Sequence, residues 1–484
     1  MGIKIHKGLI LTIIGVAQLM DVLDNSITGV ALPTIYKQLH FTSTNTLQWV
    51  TTGYALALGG FLLLGGRAAD IFGRRKTFLY GVGAFTVASF MTGIAQNSTM
   101  LEVTRIIQGL CAAFISPAAL SILLITFAEG KARNRALGLW GGIAAGGAAI
   151  GLLLGGIITQ YLGWRWNFFL NVPIGLLVLI FGSIYLPHYA SEKTTRRSLD
   201  LSGAALVVAG LITLVYGLTQ VPIHGWGSSA CYGFLLLSVV LLTSFVLNEK
   251  IVSQPLLPLG IFRTRNIAAA NTVNFINMAG MFAMFFFLTL YMQTILDFSP
   301  LRTGLAFLPI TLLIGIGSGL VARLVSSIGY KIPMIIGPCI TAAGLIMLAQ
   351  LHIHGTYLHT VFPGLSITAI GIGMSFVAIT IAATNGIPAQ FSGLGSGLLN
   401  TSQQVGGSLG LALLSGISSK HTTEYAEKHS QTAASLLQAQ VVGYRAALYA
   451  GACFVIIAAI IALCAVRRQK GEKVTFNPNA ALGA

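Results

Sequence analysis

Two carboxylates stand three residues apart in the apolar stretch VAQLMDVLDNSITGVALP at residues 16–33, namely Asp21 and Asp24. A charged side chain near the centre of a bilayer costs at least about 2.5–3.5 kcal/mol, so it is kept for pairing, water contact or function. On a helix these positions share a face, and neighbouring carboxylates oppose each other's ionisation. The pair is therefore suited to binding and releasing a proton, although either acid could instead make a structural hydrogen bond.

A cation in another apolar segment, Arg105, could act on these carboxylates. A motion that changed the distance between the arginine and the acids would couple protonation to the shape of the molecule. However, Arg105 lies near the start of its segment, so its side chain could instead extend to the bilayer surface.

Helices that cross a membrane must position these groups. The chain of 484 residues is 55% hydrophobic and 8% charged, whereas about 25% of residues are charged in an ordinary soluble domain. Fourteen apolar segments can be traced between residues 8 and 466, many of them longer than the roughly 18 residues that a span needs. We take the first segment as a span and not a signal peptide, because no small-residue cleavage site follows it. The sequence predicts an all-α integral membrane protein.

The basic residues predict the orientation of this protein. With the N-terminus in the cytoplasm, most of the 28 lysines and arginines fall on the cytoplasmic side, which is the bias that membrane proteins show. Both termini are then cytoplasmic. The net charge of +16 follows from this topology and from attraction to anionic lipid, so we expect no nucleic-acid partner.

Several functional classes lack the residues that they would need. The five cysteines stand singly in apolar segments without metal or redox spacing. No phosphate-binding glycine loop occurs, and no connection is long enough to hold a soluble catalytic domain. We therefore expect no enzyme, no metal and no cofactor, and a proton gradient as the source of energy.

The connection LLGGRAADIFGRRKTF at residues 63–78 carries the first family signature. Its glycines Gly65 and Gly66 are expected to let the chain leave the second span. Five of its residues match the loop signature of the major facilitator superfamily and would form the loop that controls conformational switching: Gly66, Asp70, Gly73, Arg74 and Arg75. A weaker echo, RLVSSIGYK, occurs at residues 323–331.

Four further stretches resemble the fourteen-span drug:proton antiporters of this superfamily. They are LDNSITGVALP at 23–33, RIIQGLCAA at 105–113, WRWNFFLNVPIG at 164–175 and GLLNTSQQVGGSLGLA at 397–412. The resemblance implies two six-helix bundles, at 1–187 and 251–484, with a linker and two inserted transmembrane helices at 188–250.

The resemblance also implies a function. We expect an efflux antiporter of the cell membrane, working as a monomer, that exchanges protons for lipophilic cationic or neutral drug-like compounds by alternating access. Asp24, Asp21 and Arg105 would couple transport to protons. A proton-coupled uptake carrier for a metabolite, a dedicated exporter of one natural product, and a receptor or channel without proton coupling remain as alternatives.

Glycines recur every four residues in the fifth span, which allows close helix packing and resembles the antiporter helix of the family. The family's proline is replaced here by Leu152, and the matching glycines are Gly147, Gly151, Gly155 and Gly156. Polar and aromatic residues in other spans could line a substrate cavity or could simply hold neighbouring helices together: Gln108, Asn271, Asn274, Tyr291, Asn400 and Gln404.

Overall fold

The computed structural model describes residues 7–41, 44–127, 131–187, 200–224, 228–252, 255–257, 259–384, 392–429 and 432–467. In these ranges the chain forms α-helices joined by short connections, and it contains no strand. A 3-10 turn at Leu259–Arg263 and a π-helical turn at Tyr357–Val361 interrupt this pattern.

The helices fall into three groups along the chain. The first comprises α1 (Lys7–Gln38), α2 (Thr44–Leu47), α3 (Trp49–Phe72), α4 (Arg74–Gly93), α5 (Ser98–Thr126), α6 (Lys131–Tyr161), α7 (Arg165–Phe169) and α8 (Asn171–Tyr185). The second comprises α9 (Leu201–His224) and α10 (Ser229–Ile251). The third comprises α11 (Arg265–Thr294), α12 (Pro300–Ile328), α13 (Lys331–Leu348), α14 (Phe362–Thr384), α15 (Ser392–Lys428) and α16 (Ala433–Ala465).

Most of the long helices can cross a membrane. Among the described residues, 11 helices are long and apolar enough to span a bilayer. Two other long helices, α4 and α15, fall short of that standard, since polar and basic side chains lower their mean hydropathy. In α6 the described apolar part, Gly146–Tyr161, is shorter than a span. An all-helical membrane fold is therefore confirmed, while the number of fourteen spans stays a prediction.

The first and third groups repeat the same neighbours. Helix α1 packs against α6 and α8, and α11 packs correspondingly against α15 and α16. The pairs α3–α5 and α4–α5 have their counterparts in α12–α14 and α13–α14. The second group forms its own hairpin, in which α9 also contacts α3 and α15.

The first group, like the third, has six long helices, because α2 has only four residues and α7 and α8 continue as one span. These two six-helix groups meet along the pairs α1–α11, α3–α15 and α6–α12. Small residues allow the close approach. A Cβ added at Gly156 of α6 would lie 2.7 Å from the Cα of Leu301, and the Thr401 hydroxyl of α15 donates to the carbonyl of Gly59 at 3.0 Å. At these two points the groups approach each other at the backbone, while apolar side chains such as Leu56 of α3 and Val405 of α15 pack together elsewhere between them.

Candidate functional site

Asp24 lies at the centre of a buried polar network, with a relative exposure of 1%. Its Oδ2 accepts a hydrogen bond from Nη1 of Arg105, which makes an ion pair. Its Oδ1 accepts from Nδ2 of Asn171 at 2.8 Å and from Nε2 of Gln108 at 3.2 Å. Donors from α5 and α8 thus converge on one carboxylate of α1.

Gln108 holds the network together, because every polar atom of its amide has a partner. Its Nε2 also donates to Oγ of Ser89 at 2.7 Å. Its Oε1 accepts from Nη1 of Arg105 at 3.0 Å and from Oγ1 of Thr92 at 3.1 Å. Through Ser89 and Thr92 the network reaches α4, so four helices fix the surroundings of Asp24.

Arg105 is held inside the protein. Its side chain has no exposed surface, and its Nε donates to the carbonyl of Val50 on α3 at 2.9 Å. The guanidinium lies over the ring of Tyr54 at 4.3 Å and that of Phe168 at 5.6 Å, within the range of cation–π attraction. The side chain therefore does not extend to the bilayer surface, which was the alternative that its sequence position had left open.

Asp21 lies one turn before Asp24 on α1 and has a different partner. It is 8% exposed, and its Oδ1 accepts a hydrogen bond from the hydroxyl of Tyr54. In the described part of the chain no cation pairs with it. The ring of Tyr54 also supports Arg105, so one tyrosine links the two acids, of which only Asp24 has a compensating charge.

Within the described ranges of the chain, two buried polar atoms of this network have no hydrogen-bond partner. They are Nη2 of Arg105 and Oδ1 of Asn171. Leaving such a group unpaired costs about 1–3 kcal/mol, so each of the two requires an explanation in a native structure. The site therefore has one donor and one acceptor free to take part in a rearrangement.

A row of glycines on α6 forms the surface against which α1 packs. Added Cβ atoms would lie 2.8 Å from Leu19 Cδ1 at Gly147, 2.7 Å from Ser26 Cβ at Gly151 and 2.8 Å from Ile27 Cα at Gly155. The row therefore packs against the helix that carries both acids. Gly156 faces α12 instead, and the carbonyl of Leu152 lies against Gly304 of that helix.

The turn between α3 and α4 is built on Gly73, whose φ of 94° is strained for any side chain. Helix α3 continues to Phe72, so the expectation that Gly65 and Gly66 end this helix was wrong. Gly65 instead packs against the backbone of Ala113 on α5. Close packing, and not an exit from the span, explains this glycine.

The charged residues of the same turn are placed as follows. Arg74 begins α4, and Nη2 of Arg75 donates to the carbonyl of Ser183 at the end of α8. The backbone of Asp70 lies in the last turn of α3, while its side chain lies outside the described part of the structure.

Asn271 and Asn274 of α11 hold α15. Nδ2 of Asn274 donates to the carbonyl of Leu399 at 3.0 Å and to Oγ of Ser402 at 2.9 Å. The same hydroxyl donates to Oδ1 of Asn271 at 3.3 Å. Between the two roles that the sequence left open for these asparagines, their contacts favour helix packing.

The other cavity candidates do not form one cluster. Tyr291 is buried, and its hydroxyl donates to the carbonyl of His352 at 2.7 Å. Asn400 is exposed. Gln404 is half-buried beside Gly59, since a Cβ added at Gly59 would lie 3.0 Å from the Cβ of Gln404. Gln108 belongs to the Asp24 network.

Four members of that network were not predicted from the sequence: Tyr54, Ser89, Thr92 and Asn171. Asn171 had a signal, since it is a polar residue inside the family-like stretch WRWNFFLNVPIG. The other three had none, because such residues also occur singly on many helix surfaces.

Comparisons with known proteins identify the family of this chain. The Major Facilitator Superfamily matches residues 14–411. The puromycin resistance protein pur8 of Streptomyces alboniger is 38% identical over 457 residues, which cover 93% of this chain and 90% of that protein. The tetracenomycin C resistance and export protein of Streptomyces glaucescens is 35% identical over 405 residues, covering 83% of this chain and 74% of that protein.

The fold is also that of solved transporters. The xylose transporter XylE from E. coli, in an inward-open conformation, superposes with a TM-score of 0.64 at 14% identity, over 97% of this chain and 98% of that chain. At this identity the likeness concerns the fold alone. The family match and the two Streptomyces relatives show that the chain belongs to the major facilitator superfamily and is a multi-pass transporter of the cell membrane, not an enzyme.

Proposed function

We propose that this transporter exports lipophilic cationic or neutral drug-like compounds in exchange for protons, as a monomer and without a cofactor. The observation that carries the proposal is the buried pair of acids on α1, of which Asp24 is held by Arg105 and Asp21 by a neutral tyrosine. Export is supported by the relatives, which are named as resistance and export proteins. The relatives differ in the compounds they are named for, which favours a drug-like substrate class.

We further infer fourteen spans with both termini in the cytoplasm. Counting α4, α6 and α15 with the 11 apolar helices would give this number, and the bias of lysine and arginine supports the orientation. The repeated neighbours of the first and third helix groups support a division at 1–187 and 251–484, with 188–250 as linker and inserted pair.

Protonation of Asp24 would be the coupling step. Separating Arg105 from an ionised Asp24 would leave two buried charges without partners, which costs several kcal/mol. Adding a proton to Asp24 removes one of those charges and lets α1 move relative to α5. Asp21, one turn away and without a cation, is the group to which we assign proton entry, since Tyr54 connects it to Arg105.

The substrate class follows from the distribution of acids. After α1, no acidic residue falls in the middle of a span, so a dication would find few compensating charges. Helix α11, which meets α1 of the first group, carries the partly buried aromatic residues Phe282 and Phe285. Aromatic side chains of this kind suit a monocation or a neutral compound through burial and cation–π attraction.

Alternating access requires the contacts between the groups to break, and one of them can be tested. Nε2 of Gln293 on α11 donates to the carbonyl of Val30 on α1 at 2.8 Å. We expect Gln293→Leu to shift the equilibrium about five-fold towards the state in which α1 and α11 are separated at this contact, because a hydrogen bond of this kind is worth about 1 kcal/mol. Distances between spin labels across the two groups would report the shift.

The matched control for that variant is Gln350→Leu, which removes an exposed glutamine of the same transporter away from α1. It should leave the distance distribution unchanged. An unaltered distance distribution in Gln293→Leu would show that this hydrogen bond does not hold the two helix groups together.

The proposal is tested with the full chain in liposomes that contain a lipophilic monocationic dye. An imposed proton gradient should drive the dye against the direction of proton flow, and a protonophore should stop it. Movement of substrate with the protons would favour the uptake carrier, and currents without substrate would favour a channel. A panel of drugs would then separate a broad exporter from a dedicated one.

A further inference from the structure

A second pair of acids is buried where the α9–α10 hairpin meets α3. Asp200 precedes α9 and Glu249 lies in the last turn of α10, and each is 4% exposed. Both carboxyl groups face Gly203: a Cβ added there would lie 2.8 Å from Oε1 of Glu249 and would also touch Oδ2 of Asp200. The two acids therefore face each other over a residue without a side chain.

Donors surround only one of these acids. Oδ1 of Asp200 accepts from the amide of Gly203 at 2.7 Å and from the hydroxyl of Ser202 at 2.8 Å. Nδ2 of Asn248 donates to its two oxygens at 3.1 and 2.9 Å. Burial opposes the ionisation of Asp200, but these donors outweigh it and lower its pKa. Asp200 is thus placed to be the anion of the pair.

Among the described residues, the donors to Glu249 come from the segment that follows α10. Its Oε2 accepts from the amide of Leu257 at 2.8 Å. Its Oε1, which faces Asp200, has no hydrogen-bond donor in the described part of the chain. Two ionised carboxylates at this separation and burial would repel each other strongly, so the oxygen that lacks a donor is the one that needs a proton.

We propose that Glu249 and Asp200 form a second proton-binding site, in which protonated Oε1 of Glu249 donates a hydrogen bond to the carboxylate of Asp200. The bond closes a clasp between the start of α9, the end of α10 and residues 255–257. When the proton leaves, both acids are charged and the clasp is weakened.

Among the residues that the structure describes, the other charged groups near this pair lie on α3 and α10. Arg67 of α3 donates through Nη1 to the carbonyl of Pro255 at 3.0 Å, and Lys250 follows Glu249 on α10 with an exposed side chain. Leu256 of the same segment packs with Leu64 of α3. The clasp therefore connects the inserted hairpin to the first six-helix group, immediately before the chain continues into α11. It is separate from the acids of α1.

The test is the thermal unfolding of the purified full chain in detergent, measured from about pH 5.5 to 8.5. A proton that is bound in the folded state and released as pH rises stabilises the fold at low pH, and that stabilisation is lost at high pH. The wild type should therefore lose a few degrees of Tm as pH rises. Glu249→Gln should lose less, because its amide donates to Asp200 at every pH, so its Tm should exceed that of the wild type increasingly towards alkaline pH.

Glu424→Gln is the matched control, since Glu424 is an acid on α15 whose side chain is 47% exposed. It should keep the wild-type dependence on pH. Asp200→Asn provides a second variant: its amide can donate to an ionised Glu249, so it should also flatten the pH dependence, although the loss of its contacts at the start of α9 lowers Tm throughout. A Glu249→Gln or Asp200→Asn protein with the wild-type slope would overturn the proposal.

Discussion

Asp24→Asn is expected to reduce proton-driven export at least about 100-fold, because an amide cannot bind and release the proton that we assign to this position. The same change leaves Arg105 buried without its counter-ion. Removal of one partner from a buried ion pair destabilises a fold by about 3–5 kcal/mol, so Tm should fall as well. The initial rate of dye export in proteoliposomes, normalised to the amount of folded protein, measures the first effect, and thermal unfolding measures the second.

The double variant Asp24→Asn with Arg105→Gln separates these effects. It removes both charges, so it should recover much of the lost stability while export stays absent. Glu424→Gln, an exposed acid far from the network, should retain both properties. Export at the wild-type rate in Asp24→Asn would refute the coupling role of this carboxylate, and recovery of export in the double variant would make the ion pair structural.

Gly155→Leu is expected to have the second-largest effect. A Cβ at this position would already lie 2.8 Å from Cα of Ile27 and 3.1 Å from its carbonyl oxygen, both of them backbone atoms that cannot turn aside. The larger side chain must push α1 away from α6 and shift both acids relative to Arg105. Overpacking of this kind typically costs about 1–3 kcal/mol, and more where the backbone must move. We expect a loss of folded yield and of export, measured by size-exclusion chromatography and dye transport.

The same helix offers a control for that substitution. Gly146 is exposed, and a Cβ added there meets nothing within 4 Å. Gly146→Leu should therefore leave yield and export close to those of the wild type. Equal losses in the two variants would show that α6 needs glycine for its own conformation and not for its packing against α1.

The sequence by itself determined the class of the protein. A hydrophobic content of 55% with long apolar segments defines membrane helices, since backbone groups inside a bilayer must be paired within their own segment. The energy of placing a carboxylate in lipid is equally local, so Asp21 and Asp24 could be identified as functional candidates without any knowledge of their neighbours. The family-like motifs correctly indicated the superfamily.

Only the tertiary structure decided which groups meet. Asp24 pairs with Arg105 and Asp21 with Tyr54. The two acids lie on the same face of α1, so from the sequence either acid could have had either partner. Asn171 reaches Asp24 from a helix that is 147 positions away in sequence, and Glu249 meets Asp200 because α9 and α10 are antiparallel. The asparagines of α11, likewise, bind α15 because that helix packs beside them. Periodicity tells which face of a helix is polar, whereas the choice of partner depends on how the helices pack, and no property of a single segment contains that information.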